Sequence, residues 1–500
     1  MAEKFFWADH IAEQIIKRNP KKKTYVCASG ITPSGTIHIG NFREVITVDL
    51  VVRALSDKGK KARFIYSWDD YDRFRKVPVN ISKSYEKYIG MPLSEVPSPF
   101  PNEKELSYAE HFEKEFEKSL EKVGIKPEFI RQSKMSKQCK YAKLINHAIK
   151  NKNEIKKILD EHRKEPLPKD WIPLTIYSEK DGKDFTKILS INDYVVEYVD
   201  KSGFKGKIDY RKKGIVKLPW RVDWPARWYY EKVDFEPGGI DHSVQGGSFD
   251  TSKEVVKIFD YVPPLYTFYE WVRPKGGKEF ASSTGNVITL KELLDIYEPE
   301  IIRYLFVSTR PNKGFAISFD NDIIKIYDEY DKLEDKYYSK KANNFEKRIY
   351  ELSQVELKSK KKKPEKVSFK QLITLVQVGK TSKFNKDSKL RAEKVKNWLD
   401  KYASSDFKFE VQEKVRVKLS KKQKEALKEL RIYLGKTKKI NEKKLFNQFY
   451  SICESIDISN KEFFNGAYNV LINKDKGPRL ASLITAIGKD KVIKLLKQIK

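Results

Sequence analysis

Cysteine is scarce: Cys27, Cys139 and Cys453 are the only three in 500 residues, far apart and odd in number. That spacing excludes a readable disulfide framework and a readable zinc site. Long apolar runs are missing as well, and none approaches the ~18 residues that a spanning helix needs. Met1–Ile16 scatters charges along its length and has no small-residue cleavage site, so no secretory signal is expected and a cytoplasmic location is. Acidic residues are in deficit. Asp plus Glu is 70 against 101 for Lys plus Arg, a formal charge of +31. Such an excess argues for a polyanionic partner, and without a spanning segment nucleic acid is expected rather than a membrane. What the chain does have is an aromatic fraction of 13%, too high for a disordered basic tail. Its length allows more than one domain, at roughly 100–200 residues each.

The N-terminal half alternates strand-like and helix-like segments. Lys23–Ser29 reads as a strand, Asn41–Ser56 as a helix and Ala62–Trp68 as a strand, a βαβ unit that signals a parallel sheet. Asp69–Asn102 is rich in proline and reads as a loop excursion. A helix is expected over Leu106–Val123, stopped at Gly124, then a strand at Glu128–Ser133 and a helix to about His162. Further strands are expected at Leu174–Tyr177, Asp193–Asp200 and Leu265–Arg273, and helices at Thr289–Tyr297 and Pro299–Thr309. Beyond Asp320 nearly every segment has helical spacing and abundant lysine, interrupted by the basic run Lys358–Lys363.

Between the first strand and its helix stands Thr32-Pro33-Ser34-Gly35-Thr36-Ile37-His38-Ile39-Gly40-Asn41. Ligands of parallel sheets bind at such strand C-termini, and a glycine-rich turn at a helix start offers backbone N–H groups to phosphate. Pro33, Gly35, His38, Gly40 and Asn41 are therefore candidate ATP-binding residues. His38 can donate where charge develops on a phosphoryl oxygen; His38 and Asn41 are the catalytic candidates here. The string resembles the HIGH-type signature of class I aminoacyl-tRNA synthetases, with Asn41 in the last place. Within that class the chain is similar to the class I lysyl-tRNA synthetases. Further blocks carry the likeness in order: Asp69-Asp70-Tyr71-Asp72-Arg73-Phe74-Arg75-Lys76-Val77-Pro78, Lys217–Trp228, Gly247-Ser248-Phe249-Asp250 and Gly477-Pro478-Arg479-Leu480.

The resemblance implies a second phosphate loop, usually KMSKS followed by Gly-Asn. Lys134-Met135-Ser136-Lys137 matches four letters but lies in the first half and lacks the Gly-Asn, so it reads as a decoy. The positional match is Glu279-Phe280-Ala281-Ser282-Ser283-Thr284-Gly285-Asn286, in which Glu279 and Ser282 replace both motif lysines. Ser282, Ser283, Thr284, Gly285 and Asn286 become ATP-binding candidates, with Ser283 also catalytic. By resemblance, Asp241 meets the adenosine ribose, and lysine binds at Gly30, Thr32, Trp220, His242 and Tyr269. No cation occurs in Cys27–Thr32 to hold a side-chain carboxylate, which disfavours glutamate; an ammonium wants carboxylates and aromatic faces, each face contributing ~0.5–2 kcal/mol.

Relatives often carry a zinc ribbon ahead of Leu218-Pro219-Trp220-Arg221, yet Lys201–Ile215 contains no Cys or His, so no structural zinc and no other protein metal site is expected. Mg²⁺ is expected with ATP, bound mainly by its phosphates. The resemblance implies a Rossmann-type parallel-sheet catalytic domain at 1–288, with insertions at about 69–105 and 160–220. A helical connecting, stem-contact-like domain is expected at 289–365 and an all-α anticodon-binding domain at 366–500. It implies a lysine–tRNA ligase with L-lysine, ATP and tRNA(Lys) as partners; the sequence leaves the oligomeric state open, a monomer being favoured. Two alternatives stay open: a non-catalytic RNA-binding synthetase paralogue, and another HIGH-family nucleotidyltransferase.

Overall fold

The computed structural model describes residues 6–276, 287–356 and 362–499. A five-stranded, wholly parallel sheet organises the first part of the chain, in the order Leu265–Tyr269, Phe235–Gly239, Thr24–Ile31, Lys61–Trp68, Glu128–Arg131. Thr24–Ile31 pairs with Lys61–Trp68 along its full length, Thr24 opposite Lys61 and Ile31 opposite Trp68. Tyr25-Val26-Cys27-Ala28-Ser29 is buried without a break, as a strand covered on both faces requires. The chain runs from this central strand to one edge, then returns beside it at Phe235–Gly239 and runs to the other. The strand order therefore reverses between Thr24–Ile31 and Phe235–Gly239, which opens a crevice at their C-terminal ends.

Helix Ile39–Asp57 follows the central strand and is buried almost all round. Its buried cations are answered locally. Arg43 donates to the carbonyls of Arg310, Pro311 and Lys313, while Asp49 receives Arg53 and Arg303. On the opposite face Val26, Ala28, Ile65 and Ile130 pack against Trp224, Trp228 and Val256. Two insertions rise from this frame. Residues after Asp69 form short 3₁₀ turns at Lys83–Tyr88 and Leu93–Glu95. The second insertion contains an antiparallel sheet of Thr186–Asn192, Val195–Asp200 and Lys205–Asp209, beside the small pair Thr175–Ile176 and Val216–Lys217. The turn after Val195–Asp200 is shaped by the Asp200 carboxylate, which accepts from Ser178 Oγ, Ser202 N, Ser202 Oγ and Phe204 N.

Several elements differ from the sequence expectation. The stretch read as one helix to His162 is three, Gln132–Lys137, Ala142–Lys150 and Lys152–Asp160, broken at Cys139, whose φ is 56°. Leu265–Arg273 is not one strand: the sheet strand ends at Tyr269, Glu270 N turns to Pro311 O, and Val272–Pro274 pairs with Phe315–Ile317 instead. Asp193 lies in a turn at φ 49°, so the next strand begins at Val195. Helix Trp220–Glu231 has no counterpart in the sequence reading, because Pro225 inside it imitates a breaker.

Compact packing divides the chain into two units: Met1–Leu294, Pro299–Ile317 and Ala342–Ser359 form one, and Asp295–Glu298, Ser318–Lys341 and Lys360–Lys500 the other. Residues 289–365 thus contribute to both. Every regular element among the second unit's described residues from Asp322 on is a helix. One apolar cluster there draws Leu427, Leu430 and Leu434 together with Leu445, Phe449, Phe463 and Leu483. In the same unit, fully buried Arg391 is neutralised by Glu298 and Asp331.

Candidate functional site

The crevice at the strand-order reversal is a cleft of about 680 Å³. Its walls include Gly30, Thr32, Gly35, His38, Gly40, Asn41, Trp220, Asp241, His242 and Tyr269, so the structure brings these sequence candidates into one cavity. Pro33 is buried in the turn that carries them. Ser282, Ser283, Thr284, Gly285 and Asn286 lie outside the described residues. The chain that resumes after them lies against the first motif: Ile39 N donates to Ile288 O at 2.8 Å, and His38 bridges Thr289.

His38 is the N-cap of helix Ile39–Asp57. Its Nδ1 accepts from Gly40 N at 3.1 Å, and Asn41 Oδ1 accepts from His38 N at 3.1 Å, closing a reciprocal capping box. A Cβ on Gly40 would sit 2.8 Å from that Nδ1, so only glycine allows the cap. Burial pushes the imidazole down to about 4, and it is neutral at pH 7. With Nδ1 accepting, the ring hydrogen belongs on Nε2, a donor at a helix start.

At the other end of the cleft the sequence reading missed Glu44, one turn into the same helix. Its carboxylate accepts from Gly30 N at 2.9 Å and from Tyr269 Oη at 2.7 Å. Gly30 is glycine for a steric reason, since a Cβ would meet Ser67 Cβ at 2.8 Å. Burial pushes the Glu44 carboxyl up to about 8, against the lowering effect of those two bonds. Among the described residues no Lys, Arg or His forms an ion pair with it. The only signal for it in sequence was one charged residue among several on a largely apolar helix, which does not by itself indicate a site.

Thr32 donates to Asp72 at 2.8 Å, and Asp72 pairs with Lys217 from the second insertion. Burial alone would raise the Asp72 carboxyl; the Lys217 ammonium outweighs it and holds the group below the usual range. Trp220 stacks on Trp224 at 5.1 Å, with His242 6.4 Å away. Arg73, Arg75 and Lys76 also line the cleft, and Arg75 and Lys76 are exposed. By contrast, Lys134, Ser136 and Lys137 line no part of it: they belong to the short helix Gln132–Lys137, where Lys137 pairs with Glu95. Among the described residues no group of three or more His, Cys, Asp or Glu could hold a metal ion, and no helix is long and apolar enough to cross a membrane.

The family model for tRNA synthetases class I (K) matches residues 5–356. The chain belongs to this family. A second family model, for an anticodon binding domain, matches residues 369–500. The chain is similar to the lysine–tRNA ligases of Borreliella burgdorferi (44% identical, 98% of each chain covered) and Treponema pallidum (42%, 98% of each). It is 38% identical to that of Pyrococcus horikoshii, covering 98% of this chain and 99% of the relative. Membership of the class I (K) family gives the buried HIGH-type turn and the crevice a common setting, since both lie within the matched region.

Proposed function

We propose that this chain is a lysine–tRNA ligase. The lysine carboxylate attacks the α-phosphate of ATP, giving lysyl-adenylate and pyrophosphate; the terminal ribose of tRNA(Lys) then displaces AMP. The observation that carries the reading is the near-full-length likeness to proteins named lysine–tRNA ligases. Glu44 supplies its physical counterpart, a carboxylate short of a cation in the wall where an amino-acid side chain would lie.

Catalysis of this kind is positioning plus stabilisation of developing charge. Neutral His38 donates from Nε2 to the phosphates, and the backbone of Gly35 and Gly40 lets them approach. Mg²⁺ arrives on those phosphates. Arg75 and Lys76 offer cations in place of the two motif lysines that Glu279 and Ser282 replace; Ser282, Ser283, Thr284, Gly285 and Asn286 keep the ATP-binding role that the resemblance implies. Asp241, exposed in the cleft wall, accepts from the ribose in this reading. Gly30, Thr32, Trp220, His242 and Tyr269 surround the lysine.

The loss of both motif lysines favours one alternative, a paralogue that binds RNA without activating lysine. Lysine-dependent exchange of pyrophosphate into ATP decides between them. Exchange that requires lysine supports the ligase; its absence in folded protein sinks it.

A further inference from the structure

A smaller chamber of about 70 Å³ adjoins the cleft and shares Gly30, Glu44, Asp69, Trp220 and His242 with it. One water needs only ~10–15 Å³ of such space, so the chamber can take the end of an aliphatic amine. Trp224, Trp228 and Glu236 complete the relevant wall. Asp69 is already engaged, since Arg227 reaches its two oxygens at 2.6 and 3.3 Å. Glu236 is different. Trp228 Nε1 donates to its Oε2 at 2.5 Å, and the described residues supply no ion pair to it. The Trp224 indole N–H faces the same carboxyl without reaching hydrogen-bond geometry, and this buried nitrogen has no other partner.

An ammonium carries three donors and no acceptor, and burying one is costly unless it is paired. Glu44 alone does not satisfy three donors, because Gly30 N and Tyr269 Oη already take up part of its accepting capacity. We propose, on the ligase reading above, that Glu236 is a second specificity-determining carboxylate: the chamber seats the lysine side-chain ammonium between Glu44 and Glu236, against the faces of Trp220 and Trp224. Burial raises both carboxyls, Glu44 to about 8 and Glu236 to about 7. One of them can therefore keep its proton, and the pair then presents the single negative charge that one ammonium matches.

The test is steady-state pyrophosphate exchange with L-lysine on the full chain. Glu236→Gln keeps the side-chain shape and should raise KM for lysine about 10- to 100-fold, the loss expected for a charged hydrogen bond, with KM for ATP and kcat within a few fold. Trp228→Phe, which removes the bond to Glu236 but leaves its charge, should raise KM for lysine clearly less than Glu236→Gln does. A folded Glu236→Gln protein with wild-type KM for lysine overturns the proposal. So does a Trp228→Phe protein that loses as much lysine affinity, because Glu236 would then serve only the packing of Trp228. If Glu236→Gln fails to fold, Ile130→Phe replaces it, adding bulk to another residue that lines the chamber; unchanged KM for lysine there is equally fatal. Failure of the wild-type chain to activate lysine would instead sink the ligase reading itself.

Discussion

A histidine at a phosphate-binding helix start is easily taken for a cation, and here its surroundings make it a neutral donor. Burial holds His38 near 4, and the Gly40 N–H on Nδ1 leaves the hydrogen to Nε2. His38→Ala should lower adenylate formation about 100-fold, the usual cost of one lost transition-state donor, with the fold intact by circular dichroism. Wild-type exchange in that variant would remove His38 from the chemistry. The same pKa says that kcat has no acid limb from this residue between pH 5.5 and 8. Glu44 behaves in the opposite sense. Its carboxyl is raised to about 8 by burial, so at pH 7 it is mostly protonated and must release that proton to pair with an ammonium. Lysine affinity should rise with pH from 6 towards 8, by up to about tenfold per unit for one proton released. Calorimetry in buffers of different ionisation enthalpy should register the proton at pH 7. The Glu44→Gln variant should bind weakly and show a smaller pH slope and buffer dependence, the remainder belonging to Glu236, whose carboxyl is raised to about 7.

Among the elements, those with strong local signals were legible and those shaped by distant partners were not. Thr24–Ile31, its following helix and Lys61–Trp68 could be read because apolar runs, a glycine turn and helical spacing agree. Helix Trp220–Glu231 was hidden by Pro225, and Phe235–Gly239 by its own Pro237-Gly238-Gly239; each is secured by packing against residues far away in sequence. The site divides in the same way. The backbone motif at Pro33–Asn41 was visible as a string, while Glu44, Arg75 and Lys76 became candidates only when folding turned them into one cleft. At this scale the phosphate cations can be sorted by position. Arg75→Ala and Lys76→Ala should each raise KM for ATP several-fold, whereas replacing Lys134 and Lys137 together by alanine should leave exchange within about twofold. A serious activation defect in the Lys134/Lys137 variant, with Ser283→Ala and Asn286→Ala fully active, would move the second loop to the first-half motif.

At the scale of the whole molecule, charge and unit boundaries decide how tRNA binding can be tested. A cut near Asp320 is a poor probe, because Ala342–Ser359 belongs to the first unit. Arg303 donates to Leu352 O within that segment, and Arg348 pairs with Asp9 and Asp57; losing them would expose buried charge in the catalytic unit. Surface substitutions on the full chain avoid this. Helix Glu442–Ile456 exposes Lys443, Lys444, Phe446 and Tyr450, with the two rings 5.1 Å apart. Lysines there can neutralise phosphates, and exposed rings can stack unpaired bases. For a chain of +31, log affinity for tRNA(Lys) should fall steeply with log salt. Lys443→Ala with Lys444→Ala should weaken tRNA binding and flatten that slope by about one to two. Phe446→Ala should weaken binding with the slope unchanged, since it removes stacking rather than charge. Both variants should activate lysine as well as the wild type, because neither touches the crevice. Unaltered tRNA affinity and slope in both would exclude this helix face from the RNA footprint and leave its lysines a solvated surface.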